Sequence, residues 1–235
     1  MDGMIKAPAL LIALAYGLVV FLFSSWRMKR KLDSEAEPLD EPLMRDDLRA
    51  MADALDLPEV RVNVLPMDPV NGLAAPDGRI FITSGFLRKL RAGEVSSAEM
   101  ASVVAHELGH VALGHARRRM IDFSGQNAIR VALAGVLGRV LPFGVGIWAA
   151  NAVASLVAAR LSRQDEYEAD AYASALLVKA GIGVEPQKSL FRKLERMTGM
   201  GGNGMPAWMM SHPKPDERIA AIDANAARWG IGGRG

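Results

Sequence analysis

Cysteine is missing from all 235 residues. That excludes a disulfide framework, a thiolate zinc site and a lipid-modified cysteine anchor, and it fits a reducing compartment. An excess of one charge is missing too, with 28 Lys and Arg against 26 Asp and Glu. No stretch interleaves basic with aromatic residues, so nothing points to a nucleic-acid partner. No internal repeat is present. Histidine is scarce: four in all, at 106, 110, 115 and 212. Half of the residues are hydrophobic, so a core forms without covalent staples.

Long uncharged runs, by contrast, are present. Ala7 to Trp26 carries no charge and is rich in Leu, Ile, Val and Phe, long enough to cross a bilayer as a helix. Arg27, Lys29, Arg30 and Lys31 follow at once, whereas the N-terminal flank offers only Lys6 and the amine against Asp2. The positive-inside rule predicts an uncleaved single-pass anchor over 1–31, with residue 27 onward in the cytoplasm. A cleaved signal peptide would carry its basic cluster on the other flank and end in a small-x-small site. Residues 32–42 hold Asp33, Glu35, Glu37, Asp40, Glu41 and two prolines, and read as an acidic linker.

The chain is organised around Val103-Val104-Ala105-His106-Glu107-Leu108-Gly109-His110. On a helix, His106 and His110 stack on one face a turn apart, where two imidazoles can ligate one tetrahedral Zn²⁺. Glu107 points to the side of that face, placed to take a proton from a metal-activated water. Ser96-Ser97-Ala98-Glu99 has the form of a capping box, so the helix is predicted to begin at Ser97 and to run to about Arg119. On a straight helix His115 lies about 140° around from His110. It also misses the six-residue spacing of the enzymes that use a third histidine, so it reads as structural.

Ahead of this helix, Val60 to Leu65, Val70 to Ala75 and Arg79 to Thr83 read as strands, with a tight turn at Asp77-Gly78. They suggest a small antiparallel sheet that either offers an edge to an extended substrate or serves only as structure. Met44 to Leu55, Ser84 to Leu90, Glu185 to Met197 and Asp216 to Ala227 read as helices. The fold class is mainly α with a small antiparallel β-sheet.

The stretch Ser162 to Asp170 opens another helix, on which Glu166 and Asp170 share a face. A carboxylate from a second helix supplies the third protein ligand that such a site needs, and the fourth position is left for water. A carboxylate one turn later can accept the other ring N–H of a zinc-bound histidine. Glu166 is therefore assigned as ligand and Asp170 as its neighbour that orients a histidine. Residues 128–161 are apolar but include Arg130, Arg139 and Pro142. The metal ligands flank this segment and must meet on one side of the membrane, so it crosses an even number of times. Two crossings need about 40 apolar residues and a turn, more than it has. It is predicted as a helical hairpin bent at Pro142-Phe143-Gly144, packed on the domain or touching the bilayer. His212 sits in a loop held by two prolines and could reach the metal as transition-state donor or extra ligand. Residues 229–235 read as a tail.

Three motifs stand in order: His106-Glu-Leu-Gly-His110, Ser162-Arg-x-x-Glu166-x-x-x-Asp170, and Ser211-His212-Pro213 followed by Arg218-Ile219. Together they resemble the membrane zinc metallopeptidases of the CAAX-prenyl-protease and HtpX type, a branch of the gluzincins. The resemblance covers Leu43 to Ala227 and implies a gluzincin-like peptidase domain over 43–228. It implies one Zn²⁺ per chain on His106, His110 and Glu166, Glu107 as base, Asp170 beside the ligands, and His212 and Arg218 near the site. The stretch from Asn71 through Ala74 to Thr83 resembles that family's substrate-side strand and marks Asn71, Ala74 and Ile80 as substrate residues. The implied partners are polypeptides, membrane or misfolded proteins among them, and the lipid bilayer. With one firm span where larger members carry several, a chamber for prenylated substrates is not expected. Two rivals remain: a membrane-tethered holdase whose zinc is structural, and a zinc hydrolase acting on a non-peptide substrate.

Overall fold

The computed structural model describes residues 29–115, 163–199 and 215–229, with 18, 19, 22, 23, 26 and 27 ahead of them. Most of the expected anchor, the apolar segment 128–161 and His212 lie outside the described residues. The described anchor positions are helical and exposed. Among the described residues, no helix is long and apolar enough to cross a membrane. The chain divides into two compact units, residues 1–34 with 116–164, and 35–115 with 165–235. In the first, the Arg30 guanidinium lies over the Trp26 ring, 5.4 Å from its centroid. The second unit carries the elements below.

Its sheet has four strands: β1 (Glu37–Pro38), β2 (Val62–Leu65), β3 (Gly72–Ala74) and β4 (Ile80–Thr83), in the spatial order β1-β2-β4-β3. The β1–β2 and β3–β4 pairs are antiparallel, but β2 and β4 run parallel, so the sheet is mixed and not the antiparallel one expected. The reason is where β3 goes. The chain leaves β2, returns along the far edge as β3, turns at Ala75 to Arg79 and comes back as β4 between the two. The return leg replaces the helical crossover that parallel neighbours ordinarily need. All four residues of β4 are buried, as expected of a strand with neighbours on both sides. Within the acidic stretch 32–42, Glu37 and Pro38 form β1, and the buried Glu41 accepts from Arg91 Nε at 2.8 Å. Pro38 is tolerated because β1 is an edge.

A 3-10 turn at Pro42–Met44 leads into helix α1 (Arg45–Ala54), and α2 (Ser84–Arg91) follows β4 directly. Thr83 Oγ1 accepts from Phe86 N at 3.3 Å and so ends the strand and starts α2 in one residue. Helix α3 is Ser97–Ala112, α4 covers residues 163–179, α5 is Glu185–Gly199 and α6 is Pro215–Arg228. One core joins these elements: Met44 and Met51, Phe86 and Leu90, Met100 and Val104, Leu177, Leu190, Leu194 and Ile222 are all buried in it. Each such side chain contributes roughly 1.5–3 kcal/mol by leaving water.

The expected capping box opens α3: Ser96 Oγ accepts from Glu99 N at 3.2 Å, and Glu99 Oε2 accepts from Ser96 N at 2.8 Å. The buried Glu99 also accepts from Lys193 Nζ and Ser189 Oγ of α5, each at 2.7 Å, tying the helix start to a neighbouring helix. Burial alone would raise its pKa, but the Lys193 hydrogen bond, Ser96 and Ser189 outweigh this and hold it below the ordinary 4.5. A depressed carboxylate stabilises the fold above its unfolded value and loses that contribution as pH falls through the folded value. Glu99→Gln is therefore expected to cost about 2 kcal/mol near neutrality, the scale of hydrogen bonds to a charged group. In urea unfolding, the gap between the variant and the native chain should narrow below pH 4.5; a gap unchanged at acid pH would contradict the assignment.

Candidate active site

Helix α3 ends at Ala112, short of the expected Arg119, because Gly114 adopts φ +69° and interrupts the helix. Its buried central turns carry His106, Glu107 and His110. Helix α4 crosses α3 where Gly109 meets Ala169. A Cβ on Gly109 would stand 3.0 Å from the Ala169 Cα and carbonyl oxygen, so no larger residue lets the two backbones come this close. The crossing explains the site. His106 and His110 lie three before and one after Gly109, and Glu166 and Asp170 lie three before and one after Ala169. Side chains that flank a close crossing face one another across it.

His106 Nε2, His110 Nε2 and the Glu166 carboxylate converge. Their separations are 3.0 Å between the two nitrogens, 3.3 Å from His106 to Glu166 Oε2 and 3.6 Å from His110 to Glu166 Oε1. Tetrahedral zinc with bonds near 2.05 Å needs its donors about 3.3 Å apart, so this triangle fits the ion. The donor chemistry, two imidazoles and a carboxylate, fits as well.

Asp170 fixes the orientation of His106. Its Oδ1 accepts from His106 Nδ1 at 2.9 Å, from Arg218 Nη2 at 2.7 Å and from Gln187 Nε2 at 3.2 Å, and its Oδ2 accepts from Arg218 Nε at 2.6 Å. Arg218 Nη2 also stands 3.3 Å from His106 Nδ1 but can only donate, so a proton on Nδ1 has Asp170 as its acceptor, and Nε2 is then the nitrogen left for a metal. Burial pushes the Asp170 carboxyl up, but the Arg218 charge and hydrogen bonds, with His106, hold it below its ordinary value. Burial likewise works against Arg218, yet Asp170, Glu166 and Glu107 raise it further, so it is a permanent cation. Its guanidinium also stacks on Phe191, 4.5 Å from the ring centroid. Burial lowers His106, but the Asp170 and Glu166 carboxylates more than offset this and raise it from 6.5 to about 9.

Glu107 is 1% exposed and stands beside the edge strand β3. A Cβ on Gly72 would lie 2.6 Å from Val103 Cγ1 and 3.6 Å from Glu107 Oε1, so glycine there is what lets β3 approach the helix. Ala74 belongs to this strand, and Asn71 stands at its entry. Ile80 does not share that position: it is buried on β4, which is paired on both sides, whereas β3 is the one of the sheet's two edges, β1 and β3, that stands beside Glu107.

Two residues carry parts of the site that motif spacing did not reveal. Gln187 is buried in the first turn of α5, where its amide donates to Asp170 and accepts from Ser174 Oγ at 2.8 Å. No sequence signal marks it. His115 folds back under His110, with the two Nδ1 atoms 3.0 Å apart. Its signal was Gly114, a residue able to take the left-handed turn.

The sequence model of Peptidase family M48 matches residues 38–226. Metalloprotease LoiP of Escherichia coli K12 is 32% identical over 176 residues, covering 73% of this chain and 65% of LoiP. A Protease HtpX homolog of Chlorobium luteolum is 26% identical over 256 aligned positions, covering 94% of this chain and 86% of that protein. Human mitochondrial Metalloendopeptidase OMA1 is 24% identical over 169 residues, covering 69% of this chain and 31% of OMA1. The chain thus spans just under two thirds of LoiP and about a third of OMA1.

Proposed function

The chain belongs to peptidase family M48 and is a zinc metalloendopeptidase, and on that premise we propose that it is a membrane-anchored enzyme of protein quality control. Its zinc is held by His106, His110 and Glu166. The observation that carries this reading is the three-donor triangle, with Glu107 next in sequence to one of its ligands and the edge strand β3 beside Glu107.

When bound, zinc supplies a Lewis acid that polarises the scissile carbonyl and acidifies water. The residues of the chain do the rest. Substrate lies as an added strand on β3. In the antiparallel β3–β4 ladder, Asn71 and Ala75 bond inward to Thr83 and Arg79, so by alternation Gly72 and Ala74 direct their N–H and C=O outward to the substrate backbone. Glu107 accepts the proton of the attacking water on its carboxylate and returns it to the leaving amine. Asp170 and Gln187 hold His106 in register, and Arg218 holds Asp170 and offsets the buried negative charge. His212 is the further candidate for stabilising the oxyanion.

The uncharged run 7–26 anchors the chain, and the basic cluster at 27–31 keeps the catalytic unit on the cytoplasmic side. Substrates are therefore membrane or misfolded proteins at that surface. The test uses the purified full chain and an unfolded polypeptide. Cleavage is expected to disappear on chelation and return with stoichiometric zinc. Zinc binding without cleavage of any polypeptide would leave the holdase reading in its place.

A further inference from the structure

His115 is fully buried, yet it contributes no donor to the metal triangle. Its ring meets the His110 ring edge-on, with centroids 5.2 Å apart and the planes at 67°. Its Nδ1 lies 3.0 Å from His110 Nδ1, and its Nε2 lies 3.1 Å from Glu168 Oε2 and 3.7 Å from Asp165 Oδ1. Two neutral rings facing Nδ1 to Nδ1 share one proton, so one donates and the other accepts. Which one donates follows from the neighbouring site.

We propose that His115 is a positioning residue of the metal centre, fixing His110 in the tautomer that presents a free Nε2. The inference rests on the reading that His110 is a zinc ligand. A ligating Nε2 needs its lone pair, so the single proton of neutral His110 sits on Nδ1 and is donated to His115 Nδ1. The proton of His115 must then sit on Nε2, where it is donated to Glu168, with Asp165 close behind. The order Glu168, His115, His110 parallels Asp170, His106 on the other side of the triangle, with an imidazole interposed between carboxylate and ligand.

His115, Asp165 and Glu168 also place one donor atom each within 4.8 Å of one another. A cation there would need the lone pair of His115 Nε2 and would push its proton to Nδ1. Two N–H groups would then oppose each other across 3.0 Å, or His110 would give up the tautomer that ligates. The cluster is therefore the end of a hydrogen-bond chain and excludes a second ion while the first is bound.

Two measurements on the full chain test this. In zinc-loaded wild type, long-range ¹⁵N–¹H correlation of the histidine rings should show His115 protonated at Nε2 and bare at Nδ1. The reverse tautomer overturns the proposal, and this readout needs no variant. In chelator competition, His115→Leu fills the space without an acceptor and should weaken zinc binding about 10- to 100-fold, the usual range for such partners. His115→Asn places an amide oxygen near the Nδ1 position and should recover most of the loss. Equal zinc affinity in His115→Leu and wild type, or no recovery with Asn, overturns the proposal. His110→Ala is the control: unchanged zinc affinity there would refute the ligand set itself, whatever His115 does.

Discussion

Replacing Glu107 with Gln is expected to lower peptide hydrolysis by about a thousandfold while zinc content stays at one per chain, within the range that a positioned acid–base group contributes. The structure gives reasons for both halves of that result. Glu107 is not one of the three converging donors, so its loss leaves the metal triangle intact. Gln has the same shape, and the clearance beside Gly72 accommodates it unchanged. An amide, however, cannot accept the proton of the attacking water, so the step fails for want of a base rather than for want of folding or metal. Single-turnover cleavage of an unfolded polypeptide at matched zinc loading is the measurement. Equal rates in the two proteins would remove Glu107 from the chemistry and with it the proposed mechanism.

Arg218→Met should lower stability by about 3–5 kcal/mol, because removing one partner of a buried ion pair strands the other. Arg218 is 2% exposed and grips Asp170 through Nε at 2.6 Å and Nη2 at 2.7 Å. Its Nη1 stands 3.7 Å from Glu166 Oε2. Without it, Asp170 loses its two guanidinium bonds, and Asp170 and Glu166 both lose the buried cation they share. For a chain of this size the loss corresponds to a fall in Tm of roughly 10 °C. The fall should be larger in the metal-free protein than in the zinc-loaded one, since the ion supplies positive charge to the same carboxylates. Arg218→Lys should recover only part of it, because one ammonium cannot span both oxygens of Asp170 as the guanidinium fork does. Thermal unfolding with and without zinc decides the matter. A metal-free Arg218→Met chain that unfolds with the wild type would show that the pair is not what holds this pocket.

Much of the site was legible before any tertiary structure. Helical periodicity alone places His106 and His110 on one face and Glu166 and Asp170 on another, and the capping box fixed the start of α3. The resemblance to a known family, rather than any spacing rule, brought Arg218 to the site, because nothing local to α6 says what its arginine faces. The sheet was harder. Strand patterns show which residues alternate, but pairing direction depends on the route of the chain between strands, and here β3 took the outer edge and left β4 inside. The same holds for Ile80: its strand was legible, but its place on β4 between two neighbours was not.

What the sequence determined by itself is the chemistry available: two imidazoles, a base and two carboxylates at helical spacing, with no cysteine to compete for the metal. These follow from intervals of three and four residues, which a helix converts directly into shared faces. The tertiary structure decided what those faces meet. The close crossing at Gly109 and Ala169 turned two faces into one metal triangle, and the approach of β3 at Gly72 set a strand edge beside Glu107. Gln187 and His115 joined only then, one from another helix and one by a left-handed turn at Gly114. Such pairings depend on packing between elements far apart in the chain, and no local interval encodes them.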